Sequence, residues 1–293
     1  MSVKSVEVVV SPPPYHFVGD GFRVHNFIPG VQQLSMERMS PFLMLDYNSK
    51  FIFPPSKKPK GVGVHPHKGF ETVTIAYKGK VSHGDSYGNH GVINEGDVQW
   101  MTAASGLLHK EYHEENFSKT GGEFQMVQLW VNLPAKFKLS EPKYQGIENS
   151  DIAKYTLDNN NGIIEIIAGN FNGVKGTAFT FTPIHMYNAK LNKGAQQQFV
   201  LPVHYNTCAL VIEGAIIVNG STKVNADNLV LFKNDGENFT IDASENSVIL
   251  ILSGEPIFEP IAAHGPFVMN THAELIQAFE EFNSGKFGKL EED

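Results

Sequence analysis

The sequence is poor in cysteine, in basic residues and in long apolar runs, and each shortage excludes a class of protein. Its single cysteine, Cys208, permits no internal disulfide, which fits a reducing compartment, and its apolar flank indicates a structural thiol. The 23 lysines and arginines are outnumbered by 31 aspartates and glutamates, for a formal net charge of −8. Domains that bind nucleic acid by neutralising phosphates carry a basic excess, so we expect no direct contact with nucleic acid.

Long hydrophobic segments are also missing. No window reaches the roughly 18 uninterrupted apolar residues that cross a bilayer, and the opening stretch 1–14 is too short and too interrupted in its apolar run for a signal peptide. We therefore expect no membrane association and a cytoplasmic location. Hydrophobic residues still make up 41% of the 293 positions, which is enough to bury a core.

The sequence does contain a succession of short strand patterns. Apolar residues alternate with a period near two, and Gly and Asn turns recur between the runs, as is typical of β-sandwiches and barrels. A strand leading into a Gly turn occurs at 75–81 and again at 210–218. We predict an all-β fold with two tandem barrels, one over 1–145 and the other over 146–293.

Only the end of the chain shows a helical pattern. In 270–288, apolar residues recur at intervals of three and four, as an amphipathic helix requires. Asn270 or Thr271 offers a cap, and Glu274 lies in the first turn. Gly285 is expected to end this short C-terminal helix.

Histidines are concentrated in the first half, which holds eight of the twelve. His65 and His67 are two residues apart, so on a strand both side chains project from one face and can chelate one ion. His109 and Glu111 repeat this spacing. Two such pairs on neighbouring strands would bring three imidazoles and a carboxylate together, leaving one or two positions of an octahedral ion open to substrate, dioxygen or water.

Other interpretations of these residues stay open at this point. His109 could be bonded to a backbone carbonyl, and Glu111 could be a solvated carboxylate in an acidic run. Glu71, four residues after His67, could be a fifth ligand or could hold an imidazole tautomer. Because Pro66 cannot donate a ladder hydrogen bond, we expect the first pair on an edge strand or at the start of a strand.

The remaining histidines between the two pairs, and just after them, lack a partner at useful spacing. They are His83, His90 and His113. We expect each of them at the surface or in a position that supports the ligands.

The run GVGVHPHKGFETVTIAYKGKVSHGDSYGNHGVINEGDVQWMTAASGLLHKEYHEE (61–115) resembles the signature segment of the pirin family, within the cupin superfamily. Further similarity follows at 123–145 and 253–288. The resemblance implies two tandem cupin, or jelly-roll, β-barrels. The first would hold one metal ion, usually iron, and the second would lack ligands.

Carried over residue by residue, the resemblance implies His65, His67, His109 and Glu111 as the metal ligands. It implies that Glu71 lies outside the ligand set.

The sequence departs from the family pattern at two places near these residues. Many relatives have Gly-x-Gly before the third histidine, whereas this chain has Ala104-Ser105-Gly106. We expect this change to alter the backbone near the site and hence the fit of substrate. Lys110 stands where a small or acidic residue is common, and on a regular strand it should face away from the metal.

The activity implied by the resemblance is that of a metal-dependent dioxygenase similar to quercetin 2,3-dioxygenase, which opens the flavonol ring with O2 and releases carbon monoxide and a depside. The substrate would be a flavonol or another aromatic enol, and Glu111 is the candidate catalytic base for its hydroxyl proton. The implied cofactor is one divalent ion. Fe(II) is favoured by the redox chemistry with O2, while Mn(II), Ni(II), Co(II) and Zn(II) also suit the ligands.

Two alternative hypotheses belong to other functional classes. The protein could be a metal-dependent regulatory binding protein that acts on a protein partner, either a transcription factor or a metabolic enzyme. It could also be a structural or storage protein with a vestigial site. This last hypothesis is disfavoured because all four ligand positions are filled.

Overall fold

In the computed structural model, which describes residues 2–292, the chain forms two compact units. The N-terminal barrel comprises Pro13–Glu37, Pro41–Asn149 and the segment from Ile257 onward. The C-terminal barrel comprises the segment up to Pro12, Arg38–Ser40 and Ser150–Pro256. The two units therefore interleave in sequence.

The described residues are mostly in β-strands. The strands are β1 (Val6–Val10), β2 (His16–Val18), β3 (Phe22–Ile28), β4 (Phe42–Phe53), β5 (Gly61–His67), β6 (Phe70–Lys78), β7 (Val81–Asp85), β8 (His90–Ile93), β9 (Val98–Thr102), β10 (Leu107–His113), β11 (Gly122–Asn132), β12 (Lys143–Ile147), β13 (Ala153–Thr156), β14 (Gly162–Ala168), β15 (Asn170–Phe171), β16 (Val174–Lys175), β17 (Ile184–Leu191), β18 (Gln196–Val200), β19 (Asn206–Glu213), β20 (Ala215–Val218), β21 (Thr222–Asn225), β22 (Leu229–Phe232), β23 (Asn238–Ala243), β24 (Ser247–Gly254), β25 (Ala262–His264) and β26 (Phe267–Met269). The helices are α1 (Met36–Met39), α2 (Glu115–Thr120) and α3 (His272–Asn283), and short 3₁₀ turns lie at Gln32–Leu34, Ala135–Phe137 and Asp158–Asn160. Within residues 2–292, no helix is both long and apolar enough to cross a membrane.

The N-terminal barrel is a jelly roll of two antiparallel sheets. Its seven-stranded sheet has the order β12-β9-β6-β11-β4-β3-β2, and its four-stranded sheet has the order β5-β10-β7-β8. Apolar side chains of both sheets pack together inside it, among them Phe22, Val81, Phe124 and Met126. Because β5 is an edge strand, the position predicted from Pro66 is confirmed.

The C-terminal barrel has the same two-sheet plan. Its sheets have the orders β1-β22-β19-β24-β17-β14-β13 and β18-β23-β20-β21. Its interior is a hydrophobic core that includes Phe199, Phe232 and Phe239. Cys208 is buried in this barrel, and burial raises the pKa of its thiol to about 12, as expected for an unreactive structural thiol.

Both ends of the chain contribute to the barrel that is farther away in sequence. β1 pairs with β22 at the edge of a C-terminal sheet, and α3 packs in a cluster with the β25–β26 hairpin through Leu275 and Ala278. The predicted helix is confirmed, with Thr271 and Glu274 forming a reciprocal capping box. The contiguous ranges 1–145 and 146–293 do not describe this interleaving, because periodicity identifies an element but not its pairing partner.

The aromatic core of the C-terminal barrel predicts a large effect of truncation. The ring centroid of Phe239 lies 4.3 Å from that of Phe232 and 5.3 Å from that of Phe199, and the side chain is fully buried. Phe239→Ala should lower the free energy of unfolding by about 3–5 kcal/mol, measured by denaturant titration. Phe258→Ala is the control, because Phe258 is 92% exposed and its loss should cost no more than about 0.5 kcal/mol. Equal losses in the two variants would contradict a close-packed interior.

Candidate metal centre

The predicted ligands lie on two adjacent strands of the N-terminal barrel. β5 carries His65 and His67, and β10 carries His109 and Glu111. His65 stands directly opposite His109 in the antiparallel register, so their side chains project from the same face. The register then shifts before Glu111, which leaves one extra residue on β5.

The three imidazoles converge on one point. Their candidate ligand nitrogens lie within 4.8 Å of one another, and Nε2 of His65 is 3.0 Å from Nε2 of His67. Two nitrogens that bind one ion at about 2.1 Å and at right angles are about 3.0 Å apart. The structure thus brings His65, His67 and His109 together in an arrangement that can hold a metal ion.

Burial keeps two of these rings neutral. His67 and His109 are buried, and this desolvation, together with the neighbouring imidazoles, holds the pKa of both well below its ordinary value. Nδ1 of His67 and both ring nitrogens of His109 have no hydrogen-bond partner among residues 2–292. An unpaired buried polar atom costs about 1–3 kcal/mol, so neutral imidazoles with free nitrogens fit a site built for a cation.

The orientation of His65 is set by its own strand. Its Nδ1 lies 2.8 Å from the carbonyl oxygen of Gly63. Because a carbonyl oxygen only accepts, Nδ1 carries the proton and Nε2 keeps its lone pair. That lone pair is on the nitrogen that faces His67.

Glu111 lies beside the three histidines but is not one of the groups that converge within 4.8 Å. Nε2 of Gln128 donates to both of its carboxylate oxygens, at 3.0 and 2.8 Å, and Thr74 donates to one of them at 3.4 Å. Burial raises the pKa of Glu111, against the opposing effects of His65 and of these donors. The assignment of Glu111 as the fourth ligand stays a prediction.

Glu71 is not among the converging groups either. Thr74 contacts Glu111, and Glu71 is three residues earlier on β6, so its side chain leaves the opposite face of the strand. There it accepts a 2.7 Å hydrogen bond from the hydroxyl of Thr102.

The other three histidines occupy different surroundings. His83 is buried, its ring centroid lies 6.2 Å from that of His109, and its Nε2 is 2.7 Å from the hydroxyl of Tyr144. His113 is buried among apolar side chains, and its Nε2 lies 2.8 Å from the carbonyl oxygen of Gly21. Burial lowers the pKa of His83 and of His113 to about 4, whereas His90 is exposed.

Two residues of β11 adjoin the site and are missed by sequence reasoning. Gln128 holds Glu111, and two residues later Trp130 stacks on Phe70 with ring centroids 4.2 Å apart. The ring of Trp130 also lies 5.6 Å from that of His67. The segment is strongly apolar, and the available signal was the presence of two glutamines, Gln125 and Gln128, inside it.

The departure at Ala104 has a backbone consequence. Ala104 has a φ of 40°, in the left-handed region that favours glycine and costs other residues about 1–2 kcal/mol. Gly106 has a φ of 120°, and a Cβ atom there would lie 2.3 Å from the ring of Phe287. The turn before β10 thus has a positive φ at both Ala104 and Gly106, a backbone conformation that favours glycine.

Two family models match the chain, Pirin over residues 21–131 and the Pirin C-terminal cupin domain over residues 186–288. The chain belongs to the pirin family. Both barrels are accordingly cupin barrels, and the predicted fold of two tandem cupin barrels with a helix near the end is confirmed.

Individual pirin relatives cover nearly the whole chain. A Pseudomonas aeruginosa protein named "Putative quercetin 2,3-dioxygenase PA2418" is 43% identical over 272 residues, which are 93% of this chain and 94% of that protein. "Pirin-like protein 2" of Arabidopsis thaliana is 37% identical over 278 residues, covering 92% and 81% of the two chains. The crystal structure of a quercetin 2,3-dioxygenase from Acinetobacter baumannii matches with a TM-score of 0.92 and 43% identity, covering 99% and 100%.

The position of Glu71 predicts a pH-dependent stability in this pirin. Burial raises the pKa of Glu71 from 4.5 to about 7, so the folded chain keeps a proton that the unfolded chain releases between these values. The free energy of unfolding should therefore fall by about 3 kcal/mol as the pH rises from 4.5 to 7.

Glu71→Gln should remove this loss and be more stable than wild type above pH 7, as measured by urea unfolding across the range. Its metal affinity should stay unchanged, because Glu71 faces away from the histidines. A weaker metal affinity in Glu71→Gln would instead place Glu71 at the site.

Proposed function

We propose that this pirin binds one divalent metal ion through His65, His67, His109 and Glu111 and acts as a dioxygenase of the quercetin 2,3-dioxygenase type. The proposal depends on one observation, the convergence of three imidazoles, of which His67 and His109 are buried, beside the buried carboxylate of Glu111. The names of a 43% identical relative and of a similar solved structure support it. Imidazole and carboxylate suit Fe, Mn, Ni, Co and Zn, and the redox chemistry with O2 favours Fe(II).

A planar aromatic substrate fits the surroundings of the histidines. Trp130 is half-buried, and Phe70 covers one side of its indole. Met36 and Ile261 pack against the same cluster. Because an aromatic face packs well against another flat ring, a flavonol can lie against the accessible part of Trp130 next to His67.

Glu111 is the residue we assign to proton transfer. When bound, the metal ion supplies a Lewis acid for the flavonol 3-oxygen and, as iron, a redox partner for O2. Glu111 accepts the proton of the 3-hydroxyl, since burial makes its carboxylate a stronger base than a solvated one. Gln128 donates to both carboxylate oxygens and fixes their orientation.

The overall reaction balances without a further reductant. One flavonol and one O2 give one carbon monoxide and one depside. The proton that Glu111 takes from the 3-hydroxyl returns to the carboxyl group of the depside, so Glu111 ends the cycle ready to accept another.

His67→Ala tests the metal and the activity together. Purified wild-type protein should contain about one metal ion per chain, bind a flavonol without O2, and lose the flavonol absorbance band when O2 is admitted. His67→Ala should lose the metal and the reaction, because it removes one of three converging imidazoles. His90→Ala, which removes an exposed histidine, is the matched control and should behave like wild type.

Equal rates of flavonol loss in wild type and His67→Ala would overturn the proposal. Wild-type protein could instead contain one metal ion per chain and turn over no flavonol or aromatic enol. That result would support the metal site and would favour a regulatory binding protein over an enzyme.

Trp130→Ala tests the aromatic contact. Removing the indole should raise the KM for the flavonol about tenfold, the equivalent of one lost aromatic contact, with metal content unchanged. Trp130→Phe keeps an aromatic face and should retain most of the affinity. An unchanged KM in Trp130→Ala would show that substrate does not lie against this ring.

A further inference from the structure

The tail segment, which we define as residues 286–292 after α3, lies along the strands that carry the predicted ligands. Nζ of Lys110 donates to the carbonyl of Glu291 at 2.7 Å, and the hydroxyl of Tyr112 donates to Oε2 of Glu292 at 2.6 Å. Leu108 packs against the apolar cluster that contains Phe287. These three positions of β10 alternate with 109 and 111, so the tail segment contacts the face opposite the ligands.

The carboxylate of Glu292 also reaches β5. Its Oε1 accepts the backbone N–H of Val64 at 2.6 Å. This N–H lies in the stretch where the register with β10 shifts by one residue, and such a bulge interrupts the regular ladder of hydrogen bonds. Glu292 thus provides an acceptor where the ladder is irregular.

The same peptide group touches His65 on its other side. The N–H of Val64 and the carbonyl of Gly63 belong to one peptide bond, and that carbonyl accepts Nδ1–H of His65 at 2.8 Å. The carboxylate, the peptide and the imidazole therefore form one chain of hydrogen bonds. An anion that accepts from the N–H polarises the amide and strengthens its carbonyl as an acceptor.

Gly63 is fitted to this arrangement. A Cβ atom at this position would lie 2.6 Å from Oε1 of Glu292 and 3.4 Å from the hydroxyl of Tyr112. Any other residue would therefore push the carboxylate away from the peptide. The absence of a side chain at 63 is the second observation that ties the tail segment to His65.

We infer that Glu292 is a positioning residue for metal binding, which acts on His65 through the Gly63–Val64 peptide. Histidine ligands commonly donate their second ring N–H to a carboxylate or a carbonyl, which fixes the tautomer and raises the basicity of the ligand nitrogen. Here a carbonyl accepts from the ring, and a carboxylate stands behind that carbonyl. Lys110 and Tyr112 hold the tail segment in place. This inference rests on the metal site proposed above.

Glu292→Ala, made in the chain of residues 1–293, tests the inference. The affinity for Co(II), measured by competition with a chelator, should fall about tenfold, the lower end of what loss of such a supporting group costs. Glu292→Gln keeps an acceptor without the charge and should lose less. Tyr112→Phe removes one donor to the carboxylate and should also give a smaller loss.

Glu291→Ala is the matched control. It removes an equal charge from the neighbouring residue but keeps the backbone carbonyl that Lys110 contacts, and the side chain of Glu291 is exposed. It should bind Co(II) like wild type. The unfolding midpoints of the metal-free variants should match wild type, and the Nδ1–H proton resonance of His65 in the Zn(II)-loaded protein should move in Glu292→Ala but not in Glu291→Ala.

Wild-type affinity in Glu292→Ala, or an equal loss in Glu291→Ala, would overturn the inference. Failure of the metal site itself has a different signature, in which wild type and His67→Ala bind Co(II) equally. If Glu292→Ala does not fold, the Co(II) affinity of Tyr112→Phe tests the inference instead. A reduced affinity would support the role of Glu292, and an unchanged affinity would count against it.

Discussion

The candidate site depends on the pairing of β5 with β10. With His65 opposite His109, both imidazoles share a face, and the spacing of two adds His67 to the same group. A slip of one residue would turn the second strand over and direct Lys110 to the site in place of His109. In this sheet β10 is hydrogen-bonded to a strand on each side, whereas β5 is at the sheet edge and pairs with β10 only. The position of β5 is therefore less restrained than that of β10. The contacts of the tail segment with β5 lie at this less restrained strand.

The two barrels share a sheet plan but fill it differently. In the C-terminal barrel, aromatic and aliphatic side chains such as Phe199 and Ile251 form the hydrophobic core. In the N-terminal barrel, apolar packing gives way to histidines and to Gln128 around Glu111. The same sheet plan thus encloses a hydrophobic core in one unit and a group of polar side chains in the other. The difference lies in which inward positions carry polar side chains.

Much of this could be predicted from the sequence, for reasons that differ between features. The period of two and the regular turns indicate barrels. His65 and His67 share a face of their strand wherever that strand begins or ends, because they are two residues apart. Pairing partners were beyond sequence reasoning, so neither the place of β1 nor the contacts of Glu292 could be found. Gln128 was missed because β11 carries two glutamines, Gln125 and Gln128, and the sequence gives no reason to assign either of them to the site. The ligand role of Glu111 was predicted from its spacing to His109 and from the family resemblance, and it stays a prediction to which the structure adds the hydrogen-bond partners of the carboxylate.

The interleaving of the two units has a consequence for how the protein is made. No single cut of the chain yields two complete barrels, since a fragment ending near Asn149 lacks α3 and the tail segment, and the remainder lacks β1. On the ribosome, β5 and β10 emerge long before Glu292 is added. The peptide that faces His65 therefore meets the carboxylate of Glu292 only after translation has passed through both barrels, so the chain of hydrogen bonds from Glu292 to His65 is completed only after both barrels have been synthesised.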